Sequence, residues 1–286
     1  MKKFLKIVLF FLSSNNLFGT AQIPDLIIYN GDTLSLYSCP LNSFSNQDLI
    51  TPQILFGSSG CFYTACWRNY VATWEIIDKE LYLVEIRNAC YPTTMTGVNV
   101  SFKAGNDNDS IGNEYADLKV LFPQRFKNGK VKADWVEGKL ISPQGKLLYY
   151  FHDGFESIYE TELEFTLEKG SLLERKILDN SKTKQSKYST DQKLLKEFIA
   201  NNIERKNLPK SDTIIRRVYV QIISSDENGK IDSVNIARGV NGLYDNEAIR
   251  VVKSIPEWDV IYRHGEKINQ EWTLPIIFDL TDDEIN

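Results

Sequence analysis

The sequence has few of the residues that catalytic and metal sites most often use. Its 286 residues include only two histidines, His152 and His264. Each lies close to a glycine in a predicted turn, where a histidine is usually solvated. No H-E-x-x-H or P-loop pattern is present, and the stretch G-S-S-G-C at 57–61 has the wrong spacing for a nucleophile elbow. We therefore predict a protein that is not an enzyme and that has no catalytic residues, no metal site and no cofactor.

An excess of positive charge is also lacking. The formal net charge is -5, and lysine and arginine form no dense stripe along the sequence. Binding to nucleic acid requires such a basic surface to neutralise phosphates. We therefore predict that nucleic acid is not a partner.

The one sustained apolar run lies at the start of the chain, from Phe4 to Leu12, and Lys6 interrupts it. It is shorter than the roughly 20 residues that cross a bilayer. Two lysines precede it, and small and polar residues follow it up to a cleavage point after Ala21, so residues 1–22 are predicted to be a signal peptide. The expected location is periplasmic or secreted, with no membrane span after cleavage. An inner-membrane anchor made of the uncleaved signal is the alternative.

Four cysteines, Cys39, Cys61, Cys66 and Cys90, lie in the first third of the chain. In an oxidising compartment they predict two disulfides, with three possible pairings. Their spacing, C-x4-C with two distant single residues, is poor for zinc. Cys66 and Cys90 flank the first predicted hairpin, which makes them one candidate pair, although a register slip of one residue would separate them.

Residues 23–174 are predicted to form an all-β domain. "YVATWEII" and "LYLVEI" are alternating runs joined by "DKE", and "WVEGKLIS" and "KLLYYF" repeat the scheme around "PQG", so both predict hairpins. The acidic residues of "YETELEF" are in phase with the solvated face of a strand. Trp67, Trp74 and Trp135 are expected in the core. A saccharide or lipid site, or an enzymatic site, built from such aromatic residues is the alternative function for this domain.

Residues 175–190 lack periodicity and are rich in Ser, Thr, Lys and Asn, so they are predicted to be a linker that buries little. The order α/β/β/α/β is predicted for residues 191–280, with Thr190 or Ser189 capping the first helix. A three-stranded antiparallel sheet with two helices follows from that order. Residues 281–286 form an acidic tail, and the predicted fold class of the whole chain is α+β.

Several short motifs in the last third carry a family resemblance. They are D-x-N-G at Asp226–Gly229, A-R-G-V at Ala237–Val240, D-x-E-A at Asp245–Ala248, R-V-V-K at Arg250–Lys253, I-P-E-W at Ile255–Trp258, H-G-E-K at His264–Lys267 and L-P-I-I-F at Leu274–Phe278. In this order and spacing they resemble the C-terminal domain of TonB energy-transducer proteins. In that family the last strand pairs with a segment of an outer-membrane receptor, so the resemblance implies a protein or peptide partner, for example a TonB-dependent receptor.

Pro275 lies inside the predicted last strand, and a proline cannot donate to a strand ladder, so the strand is expected to lie at a sheet edge or to carry a bulge. A partner's extended segment can join such an edge by strand addition. The candidate partner-binding residues are Gln270, Glu271, Trp272, Thr273, Leu274, Ile276 and Phe278. The alternatives are an edge blocked by Pro275, an edge covered by the first domain, a homodimer interface, or a purely structural envelope role.

Overall fold

The structure is a computed structural model that describes residues 20–95, 98–100, 112–209 and 214–279. It is a strand-rich mixture of α and β elements, which confirms the predicted α+β class in its coarse form. All but the last three residues of the predicted signal peptide, and the whole acidic tail at 281–286, lie outside the described residues.

In the described residues up to Asp179, the chain forms eleven strands, two short α-helices and three 3-10 turns. These elements are β1 (Asp25–Tyr29), β2 (Asp32–Leu36), the turns Pro40–Ser43 and Gln47–Leu49, α1 (Pro52–Phe56), the turn Thr64–Cys66, β3 (Tyr70–Ile77), β4 (Glu80–Asn88), β5 (Thr93–Met95), β6 (Val98–Val100), α2 (Leu118–Leu121), β7 (Phe126–Lys127), β8 (Lys130–Lys132), β9 (Gly138–Tyr149), β10 (Ile158–Glu168) and β11 (Ser171–Asp179).

Two helices correct the all-β prediction for residues 23–174. The Thr51 side chain accepts from the Ile54 N–H at the start of α1, and Pro52 occupies the first turn, where its missing N–H costs nothing. Asp117 caps α2 in the same way, accepting from two backbone N–H groups. Both helices are one turn long, so their apolar residues show no helical period that the sequence could reveal.

Nine of the strands form one sheet whose main path runs β2-β1-β3-β4-β11-β10-β9. The two outer strands of this path approach each other where the Tyr37 N–H donates to the Ile141 carbonyl over 2.7 Å. The sheet therefore curls round on itself, and its inner face encloses a core that includes Trp74 and Phe165, both fully buried. The predicted β3–β4 hairpin is confirmed, with Asp78 and Lys79 both at positive φ in its turn.

The second predicted hairpin is wrong. The stretch "PQG" lies inside a single long strand, β9, which pairs with β10 on both sides of it. Gly145 has a φ of +78, and the pairing register shifts near it, so this is a β-bulge. On β10, the side chain of Glu160 accepts from the Lys146 N–H over 3.0 Å. This bond satisfies a backbone amide that the bulge leaves without a partner in the strand ladder.

The predicted linker at 175–190 contains ordered and partly buried structure. Its first five residues complete β11, which pairs with β10. Asn180, Thr183, Ser186 and Tyr188 are buried. The expectation that this segment buries little is therefore wrong. Its polar residues form hydrogen bonds with groups of other elements. The Thr183 hydroxyl, for example, donates to the Tyr262 carbonyl over 3.3 Å. The polar composition of the segment therefore did not mean that its side chains face solvent.

From Lys187 onward, the described residues form three α-helices and five strands. These are α3 (Lys187–Thr190), α4 (Gln192–Asn202), β12 (Arg216–Ser225), β13 (Ile231–Arg238), α5 (Gly242–Lys253), β14 (Ile261–Arg263), β15 (Glu266–Ile268) and β16 (Trp272–Phe278), with a 3-10 turn at Arg205–Asn207. Strands β13, β12 and β16 form a three-stranded antiparallel sheet in that order. The β14–β15 hairpin, which lies outside the predicted α/β/β/α/β order, comes between α5 and the last strand.

The apolar stripe of α5 packs on one face of this sheet, as predicted. Ala248, Val251, Val252 and Ile255 are buried together with Val218 and Val220 of the central strand. The D-x-N-G turn is also confirmed. Gly229 takes a φ of +87 and approaches Trp258 so closely that a Cβ would lie 2.7 Å from the Trp258 carbonyl. Helix α4 begins one residue later than predicted, because Asp191 rather than Thr190 or Ser189 supplies its cap.

Candidate functional site

Strand β16 lies at one edge of the three-stranded sheet. It pairs on one side with β12, from Trp272 opposite Ile222 to Phe278 opposite Arg216. Within the described parts of the chain, no strand pairs with its other side. The backbone of this strand therefore has one satisfied side and one open side.

The candidate partner-binding residues divide between two faces. Leu274, Ile276 and Phe278 are buried in the core shared with α5, and of these three only Leu274, which is 7 % exposed, reaches a groove beside the strand. Thr273 is exposed, together with Pro275 and Ile277, which alternate with the buried residues. Glu271, an exposed residue just before the strand, accepts from the Gln221 amide over 2.6 Å, and Gln270 and Trp272 are partly buried.

Pro275 determines which backbone groups face the open side. In an antiparallel pair, residues whose N–H and C=O point at the partner alternate with residues whose groups point away. Pro275 pairs with Tyr219 in an unbroken register, and a proline fits such a position only where its nitrogen points outward. Thr273 and Ile277, which share its phase, therefore direct their N–H groups to the open side. The open edge therefore presents two backbone donors, the N–H groups of Thr273 and Ile277, and Pro275 between them offers none.

An apolar groove of about 340 Å³ runs between this edge and α4. Leu195 and Ile199 of α4 form one wall, and Trp272, Leu274 and Ile277 of β16 contribute to the other. At one end the rings of Trp258 and Trp272 meet edge to face, with centroids 6.2 Å apart. The indole N–H groups of both rings are buried and have no hydrogen-bond partner in the described structure.

Asp259 holds α3, the one-turn helix that directly precedes the groove-forming α4. Its carboxylate, 5 % exposed, accepts from the Ser186 N–H over 2.7 Å and from the Ser189 hydroxyl over 2.6 Å. It also accepts from the Tyr149 hydroxyl at the end of β9, over 2.9 Å. Burial, followed by the nearby charge of Asp259, raises the pKa of the Tyr149 phenol, which therefore stays a donor. No local pattern signals this network, because its members are up to 110 residues apart in the sequence.

The turn of the β14–β15 hairpin binds a side chain of the large sheet. His264, at a φ of +53, places its Nδ1 2.7 Å from Oε2 of Glu162. The hydrogen bond that the imidazole makes to the Glu162 carboxylate outweighs partial burial and raises the pKa of the imidazole. Next to it, the Gly265 N–H donates to the Asn180 side chain over 2.9 Å. The predicted solvated turn histidine is therefore half-exposed and bonded.

Two carboxylates of "YETELEF" correct the prediction of a solvated strand face. Glu162 and Glu164 are 5 % and 4 % exposed. Glu162 bonds His264, and Glu164 forms an ion pair with Lys139 of β9 over 2.9 Å. The alternation in the sequence correctly predicted which residues of the strand share a face. It did not predict that neighbouring strands and the β14–β15 hairpin cover this face, and the two carboxylates are therefore buried.

The cysteines form one disulfide, between Cys61 and Cys90, and Cys39 and Cys66 are free. The predicted pair Cys66–Cys90 is therefore wrong, and so is the expectation of two disulfides. Cys66 instead lies buried and donates to the Tyr70 carbonyl over 3.2 Å. Burial also raises the pKa of the Cys39 thiol to about 11.

The three tryptophans considered for a saccharide or lipid site do not form one exposed cluster, although the rings of Trp74 and Trp135 meet in the core with centroids 6.3 Å apart. Trp74 is fully buried and donates to Asp25 over 3.1 Å. Trp135 is partly buried and stacks on Phe122, whereas Trp67 is 62 % exposed, so its predicted place in the core is wrong. In the described ranges there is no group of three or more His, Cys, Asp or Glu residues that could hold a metal ion.

Comparisons with protein-family models, with curated proteins and with solved structures find no match to this chain. None of the helices that the structure describes combines the length and the apolar character needed to cross a membrane.

Proposed function

We propose that this protein binds a partner protein or peptide by strand addition at the open edge of β16, as a module that resembles the C-terminal domain of TonB proteins. One observation carries the proposal. Among the residues that the structure describes, strand β16 pairs on one side only, and its open side borders an apolar groove. Added strands gain affinity from main-chain hydrogen bonds and specificity from pockets for alternate side chains, and this edge offers both.

The proposed setting is the periplasm or the outside of the cell, with a receptor segment at the outer membrane as the partner suggested by the resemblance. The Cys61–Cys90 disulfide is compatible with an oxidising compartment. The proposed role is binding and not catalysis.

The test changes single backbone donors at the edge. Ile277→Pro removes one outward N–H without removing a bond to β12, and Ile277→Ala is its control, because it shortens the same side chain and keeps the N–H. Binding of a panel of short synthetic peptides with alternating apolar residues is measured by fluorescence anisotropy. Loss of one hydrogen bond of about 1 kcal/mol predicts a roughly fivefold weaker affinity for the proline variant than for the alanine variant.

Pro275→Thr supplies the donor that the edge lacks, so it should strengthen binding of the same peptides by a similar factor. Thermal unfolding of each variant checks that the sheet is intact. Equal affinities for the Ile277→Pro and Ile277→Ala variants, with both folded, would refute strand addition at this edge.

A further inference from the structure

The three-stranded sheet has a second surface, the face turned away from α5, that is separate from the edge of β16. Along β12, Val218 and Val220 point into the core, so Arg217 and Tyr219 between them point to the opposite face. A groove of about 340 Å³ crosses this face, lined by Ile215, Arg216, Arg217, Tyr219, Arg238, Gly239 and Val240. We call it the arginine face.

Two guanidinium groups on this face are unpaired within the part of the chain that the structure describes. Arg217 and Arg238 form no ion pair with any residue that the structure describes, and no carboxylate lines the groove. The carboxylate of Asp245 lies behind Gly239, but it accepts from the Val240 N–H over 2.8 Å. Arg250 of α5, by contrast, is paired with Glu247.

Apolar side chains flank the two arginines. Ile215 is 55 % exposed and Val240 is 37 % exposed. On a surface without a function, large aliphatic side chains beside two unpaired cations are an unusual combination, whereas binding surfaces commonly combine arginine with apolar contacts.

The spacing of the two arginines indicates the form of the ligand. Arg238 pairs with Tyr219, and Arg217 lies two residues before Tyr219, so the arginines are diagonal neighbours across two strands. Diagonal neighbours are about 7–8 Å apart. Carboxylates on alternate residues of an extended chain are about 6.6 Å apart, which matches this spacing.

We propose that the arginine face binds an extended acidic segment of a partner protein, with carboxylates on alternate residues facing Arg217 and Arg238 and apolar side chains against Ile215 and Val240. Charge complementarity identifies this occupant. The inference is independent of strand addition at β16, because it uses side chains on the face of the sheet and not backbone groups at its edge.

The probe is a short fluorescent peptide in which glutamate alternates with threonine, compared with a counterpart that has glutamine for glutamate. Full-length protein carrying Arg217→Gln and Arg238→Gln is compared with a control carrying Lys193→Gln and Lys253→Gln. The control changes the net charge by the same amount, and its lysines lie on α4 and at the end of α5, outside the groove.

We expect the arginine variant to bind the acidic peptide about tenfold more weakly than wild type and the lysine control to bind it as wild type does. High salt should remove most of the wild-type affinity, since exposed charge pairs are screened. The glutamine peptide should bind weakly to every form.

Other outcomes overturn the proposal. Equal binding of the two peptides, or equal binding by the two double variants, would show that the arginines do not select acidic ligands. A loss of binding in Ile277→Pro without a loss in the arginine variant would assign the peptide to the edge of β16. Arginine-dependent association with vesicles of anionic phospholipid, or arginine-dependent dimerisation in sedimentation, without peptide binding would assign the face to a lipid surface or to a second copy.

Discussion

The buried glutamate of the D-x-E-A motif gives a sharp test of how the last third of the chain is held together. Glu247 is 2 % exposed, and its carboxylate accepts from the Glu204 N–H over 2.6 Å and from the Asn207 amide over 2.7 Å. It also receives two hydrogen bonds from the guanidinium of Arg250. The side chain therefore joins α5 to the segment that leads from α4 into β12.

Glu247→Ala should destabilise this part of the protein by about 2–3 kcal/mol. The change leaves the Glu204 N–H and the Asn207 amide without their acceptor, and because both bonds are only partly buried each loss lies near the lower end of the usual range, at about 1 kcal/mol. The Arg250 side chain is 38 % exposed and can return to water, so its pair adds only about 0.5 kcal/mol. Glu247→Gln keeps the shape and one acceptor oxygen and should cost about half as much.

Acid should remove the same contribution. Burial alone would raise the pKa of Glu247, but hydrogen bonds from Arg250, from the Glu204 N–H and from Asn207 outweigh it and lower the pKa. A lowered pKa means that the stabilisation is present above the ordinary value of about 4.3 and is lost as the pH falls through the folded value. The difference between wild type and Glu247→Gln should therefore shrink in acid.

Urea unfolding followed by the indole N–H signals of Trp258 and Trp272 in NMR spectra isolates this part of the chain from the large sheet. Glu227→Ala, in the exposed turn between β12 and β13, is the matched control and should change stability by less than about 0.5 kcal/mol. Equal midpoints for the Glu247→Ala and Glu227→Ala variants at neutral pH would refute the assigned role of the buried carboxylate.

Three further predictions concern the large sheet and its contact with the β14–β15 hairpin. Asp25→Ala should destabilise the protein by about 3–5 kcal/mol in urea unfolding, because it leaves the buried Arg68 guanidinium without its partner; a loss below about 1 kcal/mol would contradict this. The raised pKa of His264 means that its bond to Glu162 stabilises the fold fully below about pH 6.5 and progressively less as the pH rises through the folded value. The melting temperature of the Glu162→Gln variant should therefore lack this pH dependence. A variant that keeps the pH dependence of wild type would show that the pair is unimportant. Unfolding without a reductant should expose two thiols to a thiol reagent, those of Cys39 and Cys66, and a count of zero would show that these two are bonded.

Local pattern was enough to predict the elements whose partners are near in sequence. The β3–β4 hairpin needs only two alternating runs and a short turn. The α5 stripe, from Ala248 to Ile255, has a regular helical period, and its burial follows from that period. The Gly229 turn followed from Asn-Gly chemistry in the same way.

The errors arose where distant contacts decide the environment. Glu162 alternates as a solvated residue would, and only the hairpin around His264, 102 residues later, shows why it is buried. The stretch "PQG" has the composition of a turn, yet pairing with β10 keeps the chain straight through a bulge at Gly145. The correct partner of Cys90 depended on the path of the loop that carries Cys61, which sequence spacing does not determine.

At the candidate edge, the sequence predicted a proline-bearing last strand, and the structure adds the groove beside it. Only the position of α4, which follows the α3 turn bonded to Asp259, brings Leu195 and Ile199 opposite β16. The sequence of α4 by itself, or of β16 by itself, does not show that the two elements lie side by side. The arginine face has the same origin, because Arg217 and Arg238 become neighbours only through the pairing of β12 with β13.

The outward nitrogen of Pro275 also bears on solubility. A cross-β fibril grows when identical strands stack and every backbone amide forms a hydrogen bond with the copy above or below. In such a stack of β16 strands, Pro275 would lie in the middle of every strand and could not donate to the neighbouring copy. One hydrogen bond would therefore be missing in every layer. The strand can therefore remain uncovered at high protein concentration without seeding cross-β aggregates, and replacing Pro275 should make the protein more prone to form them.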